Sequence, residues 1–133
     1  MGVNASLTLV GPLGFEVNDT NLKRAGLDYW QHLSWRQLNS INEWEKSTTD
    51  QSRVFYFSTH GKQPYYHTEF KLGDTFVFGK ETKGLPKDLM QRNQDRILTI
   101  PMTGPIRSLN LATAVAIVLF EALRQNHQQI SKV

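Results

Sequence analysis

The chain has 133 residues, a length that suits one domain with a single hydrophobic core over residues 1–133. Its 15 basic and 12 acidic residues give a net charge of +3, which permits a nucleic-acid partner but is too small to indicate one. Because it has no cysteine, no signal-peptide pattern and no apolar run of ~20 residues, we exclude disulfides, thiolate chemistry and a membrane span, and we expect a soluble cytoplasmic protein.

The predicted elements at the start of the chain are short. Residues 5–10 form a strand that ends at the turn-forming pair Gly11-Pro12. Residues 21–25 suit a single helical turn. Residues 38–46 carry a weak helical pattern, because apolar side chains recur there on one helical face.

Strands and helices follow one another in the rest of the chain. Residues 53–58, 75–78 and 97–100 are short apolar segments of the kind found in buried strands. Residues 85–92 suit a short helix, and residues 109–125 suit a long one. Strands that are apolar on both faces predict an α/β fold with an open, mostly parallel sheet flanked by helices.

Ligands of such sheets bind beyond the carboxyl ends of the strands. The candidate loops at that edge are residues 58–61, 79–84 and 102–110. The loop at 79–84 has glycines around charged residues, which lets the backbone approach a ligand closely. The same composition also fits a solvent-exposed turn, in which Glu81 either anchors a basic partner or holds the turn itself.

Polar residues stand where the long helix begins. Ser108 and Asn110 are both preferred helix caps, and hydroxyl, amide and backbone N–H groups at a helix start can also face a small ligand. Arg107 is suited to hold a phosphate, although an ordinary surface arginine fits the pattern equally well. Lys23 and Arg24 offer further phosphate contacts, or belong to a helical turn that packs its aromatic neighbours.

The long helix has no polar stripe over residues 109–123. A helix that is apolar nearly all round is buried on more than one side. In a chain of this size, one side would face the sheet and the other a second copy of the chain. We therefore expect a homodimer.

Several common kinds of site have no support in the sequence. There is no glycine-rich dinucleotide loop and no P-loop. The 4 histidines lack metal-ligand spacing, so we expect no metal site. No nucleophile-elbow pattern surrounds a serine, which leaves a phosphate-binding hydrolase poorly supported.

Longer motifs point to a specific family. The chain contains, in order, PLGF at 12–15, LKRAGLDY at 22–29, FGKETKGLP at 78–86, IPM at 100–102 and SLNL at 108–111. Together these segments resemble the SPOUT methyltransferases. The segment at 22–29 is similar to one branch of them, the tRNA wobble-position ribose 2′-O-methyltransferases.

The resemblance implies a fold, a cofactor and an assembly. The fold is an α/β domain whose C-terminal part is tied in a deep trefoil knot, an exception to the usual unknotted chain. S-adenosylmethionine binds in the knot, and the active site is shared across a homodimer. On this analogy the cofactor contacts Phe57, Ser58, Thr59, Gly79, Glu81, Ile100, Met102, Ser108, Leu109 and Asn110.

The implied reaction is attack by a ribose 2′-hydroxyl of tRNA on the sulfonium methyl group. Because that hydroxyl is a poor nucleophile, the site must align it and help to remove its proton. We expect Ser108 and Asn110 to orient it, and we expect Lys23, Arg24 and Arg107 to contact the tRNA phosphates. The resemblance requires no metal.

One departure from the family pattern affects the expected activity. Family members begin with a further strand and helix whose loop carries an arginine linked to proton removal, and this chain begins with Met1-Gly-Val-Asn4 where that segment has already ended. We therefore expect the cofactor pocket to persist and catalysis to be weak or absent. The alternative function is a catalytically silent RNA-binding or dimerising module with the same fold.

Overall fold

The computed structural model describes residues 3–13 and 32–130, without the side chains of 129 and 130. The predicted helical turn at 21–25 and the candidate RNA contacts Lys23 and Arg24 lie outside the described residues. The chain divides into two compact units, Met1–Thr49 and Asp50–Val133. The single domain over residues 1–133 stays a prediction.

The first unit contains a pair of parallel strands and a helix. Strand β1 (Leu7–Val10) pairs with strand β2 (Trp35–Leu38), and helix α1 (Ile41–Ser47) follows. The Glu43 N–H donates to Ser40 Oγ at 3.2 Å, and the Asn39 N–H donates to Glu43 Oε2 at 2.8 Å. This reciprocal cap fixes the start of α1.

Two predictions for this unit need correction. The helix predicted over 38–46 begins only at Ile41, because Leu38 is the last residue of β2 and Ser40 caps the helix. The sequence patterns did not predict β2. Strand β1 was predicted from residue 5 and begins at Leu7.

The second unit is built on a four-stranded parallel sheet. Its strands are β3 (Val54–Phe57), β4 (Gln63–Pro64), β5 (Thr75–Phe78) and β6 (Ile97–Thr99), in the spatial order β4-β6-β3-β5. Helix α2 (Lys87–Arg92) precedes β6, and helix α3 (Leu111–Ile130) follows it. All strand pairs are parallel, so their carboxyl ends meet at one edge. The predicted α/β fold with parallel strands and helices is confirmed.

Aromatic rings fill the core of this unit. Every residue of β3 is buried, as predicted, whereas the residues of β5 at the edge of the sheet are only half-buried. The ring of Phe57 stacks on that of Phe78, with centroids 4.9 Å apart and an interplanar angle of 14°. Phe70 packs edge to face against Phe55 and Phe76. Leu98 and Val118 complete the core.

A partly buried ion pair lies at the edge where the strands begin. Arg53, just before β3, donates from Nε and Nη2 to the two carboxylate oxygens of Asp74 at 2.7 and 2.6 Å. The Asp74 side chain is only 2% exposed. The hydrogen bonds to Asp74 raise the pKa of Arg53 above its ordinary value. This bidentate pair ties the start of β5 to the start of β3.

Polar side chains attach α3 to the segment that precedes β5. Gln125 accepts from the Phe70 N–H at 2.8 Å and donates to the Thr68 carbonyl at 3.1 Å, and buried Asn126 donates to the Phe70 carbonyl at 2.9 Å. Gln125 also donates to Glu121 at 3.0 Å. A hydrogen bond from Arg124 lowers the pKa of Glu121 below its ordinary value of 4.5, so this acceptor is ionised at neutral pH.

The long helix is buried on one side only in the single chain. Val118 has no exposed surface, whereas Phe120 is 59% exposed. Ala112 and Ala116 are exposed in line with Phe120, at a spacing of four residues. One face of α3 is thus uncovered in the single chain, and its burial against a second copy stays a prediction. The helix was predicted over 109–125 and runs from Leu111 to Ile130.

Candidate functional site

Three segments at the carboxyl edge of the sheet line an open cavity of about 330 Å³. They follow β3, β5 and β6, which are the strands whose ends were predicted to carry the site. A cavity of this size falls within the ~300–1,000 Å³ range of small-molecule sites. The sequence rule for open parallel sheets therefore located the cavity correctly.

The turn after β3 is fixed against the neighbouring strand. The Ser58 N–H donates to the Leu98 carbonyl at 3.0 Å, and the Gly61 N–H donates to the Ser58 carbonyl at 3.1 Å. A Cβ atom at Gly61 would lie 2.7 Å from the Leu98 carbonyl oxygen, so only glycine lets the chain pass this close to β6. Ser58 and Thr59 are thereby held at the mouth of the cavity.

The turn after β5 folds back on its own backbone. The Gly84 N–H donates to the Lys80 carbonyl at 2.8 Å and closes the turn. Gly84 has φ +65°, a left-handed conformation that favours glycine. A Cβ atom at Gly79 would lie 2.2 Å from the carbonyl carbon of Gly84 and 2.4 Å from the nitrogen of Leu85. Two glycines thus allow the tight fold of the second wall of the cavity.

Glu81 connects this turn to the start of α3. The Leu111 N–H donates to Glu81 Oε1 at 3.1 Å. The side-chain oxygen of Asn110 accepts from Ala112 N–H at 2.9 Å and from Thr113 N–H at 3.4 Å. Two side chains therefore satisfy backbone donors at the helix start, and the Glu81 carboxylate also interacts favourably with the helix dipole. Glu81 therefore has a structural role, since its carboxylate joins the turn after β5 to the start of α3.

The cavity combines apolar walls with a basic rim. The stacked pair Phe57 and Phe78 lines it together with buried Leu85. Three cationic side chains also line it and belong to exposed residues: Lys80, Lys83 and Arg107. Apolar walls suit a flat ring system, and the rim suits anionic groups such as phosphates or carboxylates.

The structure brings most of the predicted site residues together. Those lining the cavity are Phe57, Ser58, Thr59, Gly79, Glu81, Ile100, Met102, Arg107, Ser108 and Leu109. Asn110 is absent from the lining, and its side-chain oxygen is engaged in capping α3. The binding and catalytic roles assigned to these residues stay predictions.

Other lining residues were not predicted individually. His60, Lys80, Thr82, Lys83 and Gly84 lie in loops that were predicted to carry the site, and the strand-end rule could have included them. Residues from outside those loops are Phe78, Leu85, Met90, Thr99, Leu111 and Ala114. Met90 of α2 and Ala114 of α3 reach the cavity through helix packing, for which the sequence gives no local signal.

Within the described ranges 3–13 and 32–130, no three histidine or acidic side chains are grouped as they would be around a metal ion. No helix there is both long and apolar enough to cross a bilayer.

These features define an α/β protein with a small-ligand site at the carboxyl edge of a parallel sheet, rimmed by cationic side chains. Residues 1–120 match the model of the SpoU rRNA methylase family. The chain therefore belongs to this family.

Individual relatives agree with this assignment. A protein of Burkholderia cenocepacia (strain HI2424) named tRNA (cytidine(34)-2′-O)-methyltransferase is 42% identical over 127 residues, which cover 91% of this chain and 79% of the relative. A solved structure described as "Structural insights into the 2-OH methylation of C/U34 on tRNA" is 43% identical, with a TM-score of 0.83 over 92% of this chain and 74% of the other. An AdoMet-bound rRNA methyltransferase from Sinorhizobium meliloti is 26% identical, with a TM-score of 0.74 over 92% of this chain and 47% of the other.

Proposed function

We propose that the chain transfers a methyl group from S-adenosylmethionine to the ribose 2′-hydroxyl of the wobble nucleotide of tRNA. One observation carries the proposal: the segments that resemble family motifs, at 78–86, 100–102 and 108–111, meet around one cavity. The names of the similar proteins support the same reaction and the same substrate. A tRNA substrate would place the protein in the cytoplasm.

The residues of the cavity fit this cofactor. Phe57, Phe78 and Leu85 offer apolar surface for the adenine ring, and Gly79 and Gly84, which also line the cavity, have no side chain to keep a ligand from the backbone. When bound, S-adenosylmethionine supplies an electrophilic methyl group on a positively charged sulfur. Solved relatives carrying AdoMet support this choice.

Basic and polar side chains would bind the RNA substrate and orient its 2′-hydroxyl. Arg107 would hold a phosphate of the substrate and thereby position the ribose, with Lys80 and Lys83 adding positive potential at the rim. Ser108 would accept a hydrogen bond from the 2′-hydroxyl and orient it for in-line attack. Asn110 would act chiefly by fixing the helix start beside Ser108. Lys23 and Arg24 remain proposed RNA contacts.

A knot and a dimer belong to the same proposal. Strand β6 lies between β3 and β4 although only residues 58–62 connect those two strands, and this order supports a trefoil knot in the C-terminal part.

The exposed line of Ala112, Ala116 and Phe120 supports a homodimer packed through α3, since small residues allow helices to approach closely.

Two measurements test the proposed function. Calorimetry with S-adenosylmethionine should show one site per chain, and transfer of a labelled methyl group to tRNA should produce 2′-O-methylated wobble nucleotide. Binding of cofactor and RNA without any transfer would favour the silent binding module instead. Failure to bind S-adenosylmethionine would contradict the proposed methyl transfer and leave only the silent module.

Replacing Glu81 should loosen the cavity without unfolding the protein. Glu81→Ala removes the acceptor for the Leu111 N–H, and we expect S-adenosylmethionine to bind about 10-fold more weakly, as for loss of one hydrogen bond to a charged group. Glu81→Gln keeps an acceptor oxygen and should lose no more than about threefold. Calorimetry checks both. Equal affinities for wild type and Glu81→Ala would contradict a role for this contact.

Replacing Phe120 should separate the proposed dimer. Phe120→Glu places a charge on the exposed line of α3, and we expect sedimentation analysis to show a monomer where the wild type is a dimer. Leu72→Glu is the matched control, because Leu72 is 57% exposed and Phe120 is 59% exposed. A dimer that persists in Phe120→Glu would exclude this face as the interface.

A further inference from the structure

A cluster of aromatic rings follows the short strand β4 and has no part in the cavity described above. Tyr65, Tyr66 and His67, here called the aromatic turn, form a single turn of 3₁₀ helix. The Tyr66 ring packs edge to face against Tyr65 at 5.2 Å and against His67 at 4.8 Å. Tyr66 is nevertheless 51% exposed. A large ring is thus held by its neighbours and still presented to solvent.

The aromatic turn is rigidly supported. Tyr65 packs against the hydrophobic core, and the Thr68 N–H donates to its carbonyl at 3.2 Å. Gln63 donates from its side chain to Thr68 Oγ1 at 3.1 Å, and Gln125 of α3 donates to the Thr68 carbonyl at 3.1 Å. Such support holds the backbone on both sides of Tyr66, which lowers the entropy lost when a ligand stacks on its ring.

The aromatic turn lies at the same sheet edge as the cavity. Strand β4 is parallel to β6, with Pro64 opposite Thr99, so the residues after Pro64 emerge where the cavity-lining loops emerge. His60, between β3 and β4, lines the cavity itself. One continuous stretch of chain therefore runs from the cavity to the aromatic turn.

The local charge is favourable for an anionic polymer. Among the lysine, arginine and acidic side chains, residues 58–68 contain only that of Lys62, which is exposed. The nearby Glu121 carboxylate, which accepts from the same Gln125 amide that donates to the Thr68 carbonyl, is paired with Arg124 at 2.7 Å. Aromatic rings beside a cation form the usual platform for unpaired bases, because every base has a flat face and each nucleotide carries a phosphate.

We infer that Tyr66, supported by Tyr65 and His67, stacks on an unpaired nucleobase of the RNA next to the nucleotide that enters the cavity. Lys62 contacts the phosphate backbone beside that base. This inference rests on the proposed function, because it identifies a second contact for the same RNA substrate.

The test uses the 133-residue chain and a fluorescent RNA hairpin with the sequence of a tRNA anticodon arm. We expect Tyr66→Ala to raise the Kd measured by anisotropy about 10-fold or more, as for loss of one base stack. Tyr66→Phe keeps the ring and should bind like wild type. Leu72→Ala is the control, since Leu72 is 57% exposed and precedes β5 at the opposite edge of the sheet.

The outcomes separate this inference from the proposed function. If wild type methylates tRNA and folded Tyr66→Ala binds the hairpin as tightly as wild type, the inference is wrong and the proposed function stands. If wild type transfers no methyl group but its RNA binding falls in Tyr66→Ala and recovers in Tyr66→Phe, the inference stands alone. Absence of hairpin binding by wild type overturns the inference. Calorimetry with S-adenosylmethionine should give the same affinity for Tyr66→Ala and wild type, since Tyr66 does not line the cavity.

Discussion

Replacing Gly79 with alanine should nearly abolish S-adenosylmethionine binding. The added Cβ would lie 2.2 Å from the Gly84 carbonyl carbon and 2.4 Å from the Leu85 nitrogen, and both neighbours are backbone atoms that cannot rotate away. The turn must therefore open, which moves the second wall of the cavity. We expect an affinity loss of about 100-fold, or ~2.7 kcal/mol, within the usual range for overpacking. Calorimetry measures it directly.

Alanine variants of two other glycines distinguish a steric clash from backbone strain as the cause of the lost cofactor affinity. Gly104→Ala lies in the loop after β6, where an added Cβ meets nothing within 4 Å, and it should bind like wild type. Gly84→Ala also has open space around its Cβ but must hold φ +65°, which costs about 1–2 kcal/mol without a clash. The expected order of affinity is Gly104→Ala, then Gly84→Ala, then Gly79→Ala. Cofactor binding by Gly79→Ala at the wild-type level would contradict the close packing of this turn.

Replacing Arg53 with alanine should strongly lower the stability of the protein. Arg53→Ala leaves the Asp74 carboxylate, which is 2% exposed, without the guanidinium that donates two hydrogen bonds to it. Breaking such a pair costs about 3–5 kcal/mol when both partners are buried. Because Arg53 is 35% exposed, we expect about 2–3 kcal/mol of lost unfolding free energy in urea denaturation.

Two further variants identify the cause of that loss. The double variant Arg53→Ala/Asp74→Ala also removes the Asp74 carboxylate that has lost its guanidinium partner. It should be more stable than Arg53→Ala alone. Arg92→Ala removes a cation from the exposed pair with Asp88, whose side chains are 50% and 79% exposed, and should change stability by less than about 0.5 kcal/mol. If the double variant were less stable than Arg53→Ala, the Asp74 carboxylate without its partner would not be the cause of the lost stability.

The strands that carry the site could be predicted from sequence because their signal is local. Residues 54–57 and 75–78 are apolar at every or nearly every position, and glycine follows soon after each. The strands β2 and β4 could not be predicted in this way. Trp35–Leu38 contains two polar residues, and Gln63–Pro64 is a strand only because it pairs with Leu98 and Thr99. Pairing between distant segments leaves no trace in a short window.

The candidate site shows the same limit. The loops around it follow from the strand-end rule, and Asn110 as a cap follows from residue preference. The contact between Glu81 and Leu111 joins segments thirty positions apart, so only the folded chain shows it. The exposure of Phe120 in the single chain could not be predicted either, because the sequence of a helix that is apolar on all sides does not indicate which side packs on the sheet.

The position of β6 has a consequence for synthesis on the ribosome. Val54–Phe57 and Gln63–Pro64 leave the ribosome early, yet neither can complete its pairing until Ile97–Thr99 has been made and has entered the gap between them. A nascent chain that stops before residue 97 therefore keeps unpaired backbone along β3 and β4. Assembly of this half of the protein must therefore wait until β6 has been synthesised.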